Sequence, residues 1–275
     1  MPELPEVETI VRGLQSRVAG HAIVSVWIGS KKQVLKSSAA KIAATLTGKK
    51  ILRVHRMGKH IVFDLASSQK AAEAQWIVHL GMTGRMLVCD PEEPTLKHTH
   101  LVTTLASGRE ARFEVRFIDP RMFGKLSVLV PAKFDPGGLE PLDADAPSFL
   151  KLFRGRKTPI KSALLNQKLL RGVGNIYADE ALARTGIRPR RRASSISKED
   201  LGRLLAAIQD VLREAIKLGG SSVSDYVGAD GAEGFFQLQH RVYGREGEPC
   251  LVCKTPIRRV VIGGRSSHYC PKCQK

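Results

Sequence analysis

Residues 161–190 read KSALLNQKLLRGVGNIYADEALARTGIRPR, and this stretch decides the architecture of the C-terminal half. Apolar residues recur at helical spacing on both sides of Gly172-Val173-Gly174, which predicts two helices joined by a glycine-rich turn. Asn175 is expected to cap the second helix. Backbone N–H groups at the start of a helix lack partners within the helix, so they can bind a phosphate. Taken by itself, the segment is better explained by an ordinary capped helix.

The helical period continues on both sides of this segment. Helices are predicted at residues 148–153, 159–169, 175–185 and 197–218. Residues 134–147 are rich in Pro, Gly and Asp, which indicates an interdomain linker. A Gly/Ser-rich loop is predicted at residues 219–234. The helical domain is therefore assigned to residues 148–240, with this loop included.

The N-terminal half has a different pattern. Val7, Ile10 and Leu14 follow the helical period and predict an amphipathic helix over residues 5–19. Short β-rich runs separated by turn residues follow it, at 23–28, 51–56, 60–65, 76–80, 85–89, 101–105, 112–118 and 125–130. Closely spaced strands without helices between them indicate an antiparallel sandwich or barrel. The predicted fold class is α+β, with an N-terminal antiparallel β-sandwich domain at residues 1–133.

The charge of the chain indicates a polyanionic partner. The 275 residues carry a formal net charge of +18, with a pI near 10.0. Up to residue 150 there are 20 basic and 15 acidic residues, and after it 24 and 11. Nucleic acid is the natural partner for such a chain, with the C-terminal half binding most strongly. Some of these charges also solvate helix faces, but that explanation covers only a small excess.

Two features of the sequence bear on cellular location. No run of about 18 apolar residues exists, so a membrane-spanning helix is not expected. The N-terminal residues MPELPEVETI have neither the basic nor the apolar region of a signal peptide. We therefore expect a cytoplasmic protein.

Four of the five cysteines lie near the C-terminus, in the pairs Cys250-x2-Cys253 and Cys270-x2-Cys273. Two such pairs separated by 16 residues predict a closed tetrahedral Zn²⁺ site, which has a structural role because no position is open to water. Free thiols or a redox pair are weaker explanations. Residues 241–275 are therefore assigned to a β-hairpin zinc finger. Cys89 stands alone and is expected to be a buried structural thiol.

The N-terminus carries a second chemical signal. If Met1 is removed, Pro2 becomes a secondary amine with a pKa of about 8, so much of it is nucleophilic at neutral pH. Attack on a sugar aldehyde carbon would yield an iminium, which permits β-elimination. Glu3 could serve as general acid and base for the sugar. Because proline is common after the initiator methionine, these residues alone make this a minority hypothesis.

Several distant motifs, taken together, resemble formamidopyrimidine-DNA glycosylase over essentially the whole chain. They are residues 2–9 (PELPEVET), Met57-Gly58-Lys59, His79-Leu80-Gly81-Met82, Asp119-Pro120-Arg121-Met122-Phe123-Gly124, residues 172–182 and the zinc finger. The resemblance implies a helix-two-turn-helix domain and one structural zinc ion. It also implies a bifunctional DNA glycosylase and AP lyase that flips and excises oxidised purines (8-oxoguanine and formamidopyrimidines) from double-stranded DNA through an imine at Pro2. Strand cleavage by β,δ-elimination would follow. A monomer in the bacterial cytoplasm, associated with the nucleoid through DNA, is expected.

The resemblance also assigns roles to individual residues. It implies that Pro2 is the nucleophile, that Glu3 is the acid and base, and that Lys59, at a hairpin tip, contacts phosphate near the lesion and aids catalysis. Glu6 would support the active site. Met82, Arg121 and Phe123 would fill the void left by the flipped base, although ordinary core packing is the alternative for Met82 and Phe123. Backbone phosphates would be held by His79, Lys161, Asn175, Tyr243 and Arg265. The lesion-capping loop would meet the flipped base with Ser221, Ser222, Val223, Ser224, Asp225 and Tyr226.

Three features depart from the family pattern or qualify it. Met122 stands where a basic residue is frequent, which predicts one phosphate contact fewer. Residues 228–234 (GADGAEG) are acidic and glycine-rich, which leaves the lesion spectrum open. While Met1 is attached, the Pro2 nitrogen is an amide and cannot attack. Two alternative functions are compatible with the sequence: that of an endonuclease VIII-type glycosylase for oxidised pyrimidines, and that of a non-catalytic protein that binds damaged DNA.

Overall fold

A computed structural model describes residues 1–68, 71–107, 111–222, 228–229 and 233–275. The chain forms two compact units. The first contains Met1–Asp135 and Gly219–Gly234, and the second contains Pro136–Leu218 and Phe235–Lys275. Among the described residues, no helix is both long and apolar enough to cross a membrane.

The first unit is built on one helix and an antiparallel sheet. Helix α1 (Leu4–Val18) buries Val7, Ile10 and Leu14 against the sheet, as its apolar period predicts. A second short helix, α2, spans Ala39–Leu46. The strands are β1 (Ala22–Ile28), β2 (Lys50–Met57), β3 (His60–Ala66), β4 (Ala74–His79), β5 (Arg85–Cys89), β6 (Thr99–Ser107), β7 (Ala111–Ile118) and β8 (Lys125–Leu129).

The strand order is β5-β7-β6-β1-β2-β3-β4-β8, with every neighbouring pair antiparallel. Only Ala22 and Lys50 are register partners between β1 and β2, so the hydrogen-bonded ladder is shortest there. The sheet thus consists of two four-stranded halves that meet at this junction, as a sandwich requires. The core includes Trp76 stacked on Phe63, with ring centroids 4.3 Å apart.

The second unit is helical and ends in a two-stranded hairpin. Its helices are α3 (Ala146–Lys151), α4 (Ile160–Leu164), α5 (Asn175–Thr185) and α6 (Lys198–Lys217), and the hairpin strands are β9 (Arg258–Ile262) and β10 (Arg265–Tyr269). Gly263 and Gly264 join the two strands and both have positive φ angles, +56° and +75°. Two central residues with positive φ form the tight turn that matches strand twist, and glycine adopts this conformation without strain.

The predicted α+β fold class is confirmed, and all eight predicted strands are present with bounds within two residues of those expected. Helix α2 was not predicted. The helix expected over 159–169 ends at Leu164. Beyond it, side chains bond the backbone in place of a helical ladder: Asn166 Oδ1 accepts from Lys168 N, and Gln167 Nε2 donates to Leu165 O and Val173 O.

Two segments group differently from the sequence-based assignment. Residues 219–234 were placed with the helical domain, but they pack in the first unit, where Ala229 O accepts from Val88 N at 3.2 Å. The zinc-finger region is part of the second unit, because His268 N donates to Asp179 of α5 at 2.9 Å. The proposed linker is tied to the second unit as well, since Gln209 Nε2 donates to Pro141 O and Ala144 O.

Candidate functional site

The N-terminal residues form a buried cluster at the start of α1. Pro2 is buried, and Glu3 is the N-cap residue of the helix. Glu3 accepts from the Glu6 backbone, and Glu6 Oε2 accepts from Glu3 N at 2.8 Å, so the two carboxylates form a capping box. This arrangement holds Pro2 and Glu3 in a fixed position at the positive end of the α1 dipole.

Glu6 also binds the chain segment that returns to this unit. Its Oε1 accepts from Ser221 N at 2.8 Å. Gly220 has a φ of +83°, and a Cβ built there would lie 2.9 Å from both Glu6 Cγ and Oε1. Glu6 therefore connects the backbone of Glu3 with the start of the expected lesion loop. The supporting role expected for Glu6 has a physical basis in these two contacts.

Lys59 lies in the two-residue turn between β2 and β3, where the sequence places it. Gly58 precedes it with a φ of +59°. Lys59 is only 6% exposed, so it is not the solvated tip residue that its position alone would indicate. A buried lysine requires polar or anionic surroundings, which is a common property of functional sites.

His79, at the end of β4, is held as a neutral ring. Burial, together with the nearby charges of His60, Lys59 and Lys125, lowers the pKa of His79 to about 4. The ring Nδ1 lies 3.1 Å from Gly81 N, which donates to it. Nδ1 is therefore the acceptor, and Nε2 carries the proton of the neutral ring. Nε2–H is the donor that His79 can offer to a phosphate.

The three residues expected to fill the void lie in two loops of the first unit. Met82 is 38% and Phe123 is 50% exposed, so neither is a core residue. The Arg121 guanidinium stacks over the Phe123 ring at 4.8 Å. Met122 is different: it packs partly against the apolar core, in a left-handed conformation with a φ of +57°. Large apolar side chains that remain exposed indicate a binding surface.

Lys161 is enclosed within the second unit. Its side chain is 0% exposed, and Nζ lies 2.6 Å from both Asp179 Oδ1 and Ser266 O. Nζ is bonded to groups of the protein itself in this structure, so the direct phosphate contact expected of Lys161 stays a prediction. Asp179 also accepts from His268 N, so Lys161 acts on the position of the hairpin relative to α5.

Asn175 does not cap α5 as expected. The N-cap residue is Gly174, in extended conformation, and Asn175 is the first helical residue. The Asn175 side chain reaches the hairpin, where Nδ2 donates to Ser266 Oγ at 3.3 Å. Its Oδ1 is buried and has no hydrogen-bond partner within the described part of the chain. Because the cap residue is a glycine, it supplies no side chain of its own to bond the N–H groups of the first turn.

Glu180, which the sequence reading did not single out, holds the segment that carries Tyr243. It is 0% exposed, and its two oxygens accept from the backbone N–H groups of Arg241, Val242 and Tyr243 at 2.8–3.0 Å. The Tyr243 ring packs edge-on to His268 at 5.1 Å. An acidic residue in a helix gives no sequence signal that it will hold a distant backbone segment, so Glu180 was not predicted.

Arg265 is exposed at the start of β10, directly after the hairpin turn.

The four C-terminal cysteines fit a zinc ion. Their sulfur atoms all lie within 4.8 Å of one another. Cys250 Sγ and Cys273 Sγ are 3.9 Å apart, and Cys253 Sγ and Cys270 Sγ are 3.4 Å apart. Tetrahedral coordination at about 2.3 Å requires sulfur–sulfur spacings of about 3.8 Å. Hydrogen bonds from Thr255 lower the pKa of Cys253 to about 6, which favours the thiolate form that binds metal. The protein binds one structural zinc ion here.

The structure describes part of the expected lesion-capping loop. Ser221 is buried, and Ser222 Oγ accepts from Gly234 N at 2.9 Å. This bond joins the two ends of the loop. The predictions for Val223, Ser224, Asp225 and Tyr226 lie outside the described residues.

Three family models match the chain in order. They are the formamidopyrimidine-DNA glycosylase N-terminal domain (residues 1–126), the formamidopyrimidine-DNA glycosylase H2TH domain (138–227) and the zinc finger found in FPG and IleRS (247–275). A formamidopyrimidine-DNA glycosylase of Solibacter usitatus is 47% identical over 277 residues, with 100% of both chains covered.

The fold is also similar to that of solved structures over nearly the whole chain. A Lactococcus lactis FPG variant in complex with DNA containing Fapy-dG has a TM-score of 0.90 at 32% identity, covering 100% of both chains. The Lactococcus lactis Fpg with DNA containing an abasic site has a TM-score of 0.89 at 32% identity, covering 99% of both.

Together, the sandwich with its N-terminal proline cluster, the helix-two-turn-helix domain and the zinc finger define a DNA glycosylase of base excision repair. The chain belongs to the formamidopyrimidine-DNA glycosylase family.

Proposed function

We propose that this protein removes oxidised purines from double-stranded DNA and then cleaves the strand, with Pro2 as the covalent nucleophile. The observation that carries the proposal is the buried cluster at the start of α1, where Pro2 directly precedes Glu3 and the capping box joins Glu3 to Glu6. A related protein was solved with DNA containing Fapy-dG, and another complex holds an abasic site. Both fit the substrate and the intermediate of this reaction.

Base excision and strand cleavage can both be carried out by the Pro2 nitrogen and the Glu3 carboxylate. The Pro2 nitrogen forms a bond to C1′ of the damaged nucleotide while the bond from C1′ to the base breaks, and the base leaves with a proton. Opening of the sugar ring, with Glu3 as the proton donor and acceptor, gives an iminium. The iminium withdraws electrons, so a proton is lost from C2′ and the 3′ phosphate leaves. Elimination of the 5′ phosphate by the same means completes β,δ-elimination.

The remaining residues position the DNA. In the first unit, Lys59 and the Nε2–H of His79 supply donors for phosphates close to the lesion. In the second unit, Asn175, Tyr243 and Arg265 supply further phosphate contacts, and Lys161 contributes indirectly through Asp179 and the hairpin. Phosphate contacts hold the duplex without reading its sequence, so these residues serve affinity for any duplex.

Met82, Arg121 and Phe123 act after the base has left the stack. Unstacking a nucleotide costs a few kcal/mol, and apolar side chains inserted into the gap offset part of that cost. Arg121 faces the orphaned cytosine, where it can donate hydrogen bonds. Ser221 to Tyr226 close over the flipped base. The protein works as a monomer in the bacterial cytoplasm and associates with the nucleoid through DNA.

Borohydride trapping tests the proposal. The protein with Met1 removed is expected to crosslink to duplex DNA that carries 8-oxoguanine, because borohydride reduces the imine to a stable amine. Pro2→Gly should strongly weaken crosslinking, and protein with Met1 fully retained should give none. Full activity with an intact Met1–Pro2 amide would exclude this mechanism. Stronger trapping on a duplex with an oxidised pyrimidine would instead favour the endonuclease VIII-type activity.

A further inference from the structure

The two loops that carry Met82 and Phe123 run side by side. Residues 80–84 connect β4 to β5 (the β4–β5 loop), and residues 119–124 connect β7 to β8 (the β7–β8 loop). Strands β4 and β8 pair through His79 and Lys125, and strands β5 and β7 pair through Arg85 and Ile118. Both loops therefore connect the β4–β8 pair in one half of the sheet with the β5–β7 pair in the other half, and they run alongside each other.

The backbones of the two loops are in direct contact. A Cβ built on Gly81 would lie 2.5 Å from both Phe123 C and Gly124 N. A Cβ on Gly124 would lie 2.6 Å from the Phe117 ring and 3.1 Å from Asp119 Oδ2. Only glycine fits at these two positions, since real Cβ contacts are not this short.

One buried carboxylate bonds to both loops. Asp119 is 0% exposed. Its Oδ1 accepts from the Thr83 hydroxyl at 2.5 Å, in the β4–β5 loop. Within its own loop, Oδ1 accepts from Arg121 N at 3.2 Å and Oδ2 accepts from Gly124 N at 2.7 Å. Thr83 and Gly124 are the chain neighbours of Met82 and Phe123, so these bonds fix the backbone beside the two exposed side chains.

We propose that Asp119 is a positioning residue that joins the two loops into one preassembled wedge, so that Met82, Arg121 and Phe123 enter the DNA as a unit. Met82 and Phe123 are exposed and have no core packing to hold them. Their position therefore depends on the loop backbones, and the carboxylate with Thr83 fixes one relative to the other. Fixing the loops before DNA binds removes an ordering cost from the step in which the base is flipped.

The inference rests on the void-filling roles proposed above, and its test separates the two. Thr83→Val removes the hydroxyl that joins the loops and keeps the side-chain shape. Thr103→Val is the matched control, since Thr103 is buried in β6 of the same unit and its hydroxyl donates to Val115 O at 3.3 Å, within the sheet. Single-turnover excision of 8-oxoguanine is measured opposite each of the four bases, with Met82→Ala and the double variant Met82→Ala/Thr83→Val in parallel. Asp119→Ala is compared after its melting temperature has been checked.

Thr83→Val should slow excision about tenfold, as expected for the loss of one hydrogen bond to a charged group, and should weaken the preference for cytosine opposite the lesion. Trapping at a preformed abasic site should be nearly unchanged, because no base has to be flipped. In the Met82→Ala background, Thr83→Val should add little to the loss of excision, since both act through the same wedge.

Equal excision by Thr83→Val and Thr103→Val, while Met82→Ala is slow, would overturn the positioning role and leave the void-filling role intact. Additive losses in the double variant would overturn it too, because Thr83 would then act independently of Met82. Normal excision by Met82→Ala would remove the void-filling role itself and the inference with it.

Discussion

At the scale of single residues, Glu6 links two distant parts of the chain within the first unit. Its carboxylate binds Glu3 N with one oxygen and Ser221 N with the other. The backbone of Glu3, next to Pro2, and that of Ser221 are thereby held by the same carboxylate, although they are more than 200 positions apart in the chain. Any side chain that displaces this carboxylate should disturb both.

Gly220→Ala tests this arrangement. Alanine at a φ of +83° costs about 1–2 kcal/mol, and its Cβ would also lie 2.9 Å from the Glu6 carboxylate. Gly219→Ala is the matched control: its φ is +74°, but the nearest atom to its Cβ is at 3.5 Å. Both variants should melt at a lower temperature, Gly220→Ala more so because of the added contact, whereas single-turnover excision should fall substantially only for Gly220→Ala. Equal excision rates would show that the Glu6 contact is unimportant.

Site residues differ in how far the sequence predicts them. Pro2, Glu3 and the cysteines are predictable because their chemistry depends on position in the chain or on short spacing. Lys161 is not, since its enclosure depends on Asp179 and Ser266, which lie on other elements. Asp119 and Glu180 were missed for the same reason: the Thr83 hydroxyl that bonds Asp119, and the backbone groups that bond Glu180, are brought close only by the fold.

At the scale of elements, the zinc hairpin and α5 depend on each other. Asp179 of α5 accepts from His268 N in β10, and Asn175 donates to Ser266. The metal ligands Cys270 and Cys273 follow β10, and the contacts to α5 hold Ser266 and His268 within that strand. We therefore expect the position of Arg265, at the start of β10, to depend on both.

Cys253→Ser should therefore abolish stoichiometric zinc binding and weaken affinity for undamaged duplex, because the hairpin loses its metal-dependent fold. Zinc is measured by elemental analysis and affinity by fluorescence anisotropy. Cys89→Ala is the control, as Cys89 lies in β5 outside the metal centre. Undiminished duplex affinity in zinc-free protein would contradict the proposed role of the hairpin.

The strands were predicted closely because each is a short β-rich run and turn residues separate it from the next. Helix α2 was missed, since only Ile42 and Leu46 are buried in its eight residues and this pattern is too short to recognise. Helix α4 was predicted to extend further than it does. Asn166 and Gln167 fit a helical period, but their side chains form hydrogen bonds with backbone groups in place of a further helical turn.

At the scale of the whole molecule, the +18 charge supports binding to any duplex, but not every cation takes part. Arg265 is exposed, whereas Lys161 is fully enclosed by protein groups. A salt titration distinguishes these two kinds of positive charge, because each phosphate contact releases a counterion on binding.

Arg265→Ala should reduce the slope of log affinity against log salt by about one unit. Arg203→Ala, which removes an exposed charge from α6, should leave the slope unchanged. Lys161→Met should also leave the slope unchanged but should destabilise the protein by about 3–5 kcal/mol, because Asp179 then stays buried without its partner. A reduced slope for a stably folded Lys161→Met would show a direct phosphate contact after all.

The first unit is discontinuous in the chain: residues 136–218 intervene before Gly219–Gly234 return to it. During synthesis, the proline cluster and the sandwich strands therefore emerge first, while the segment that binds Glu6 emerges after the helices of the second unit. At about 5–20 residues per second, this interval lasts roughly 5–20 s. The nascent chain thus carries the N-terminal cluster without residues 219–234, which bind Glu6, until the helices of the second unit have been synthesised.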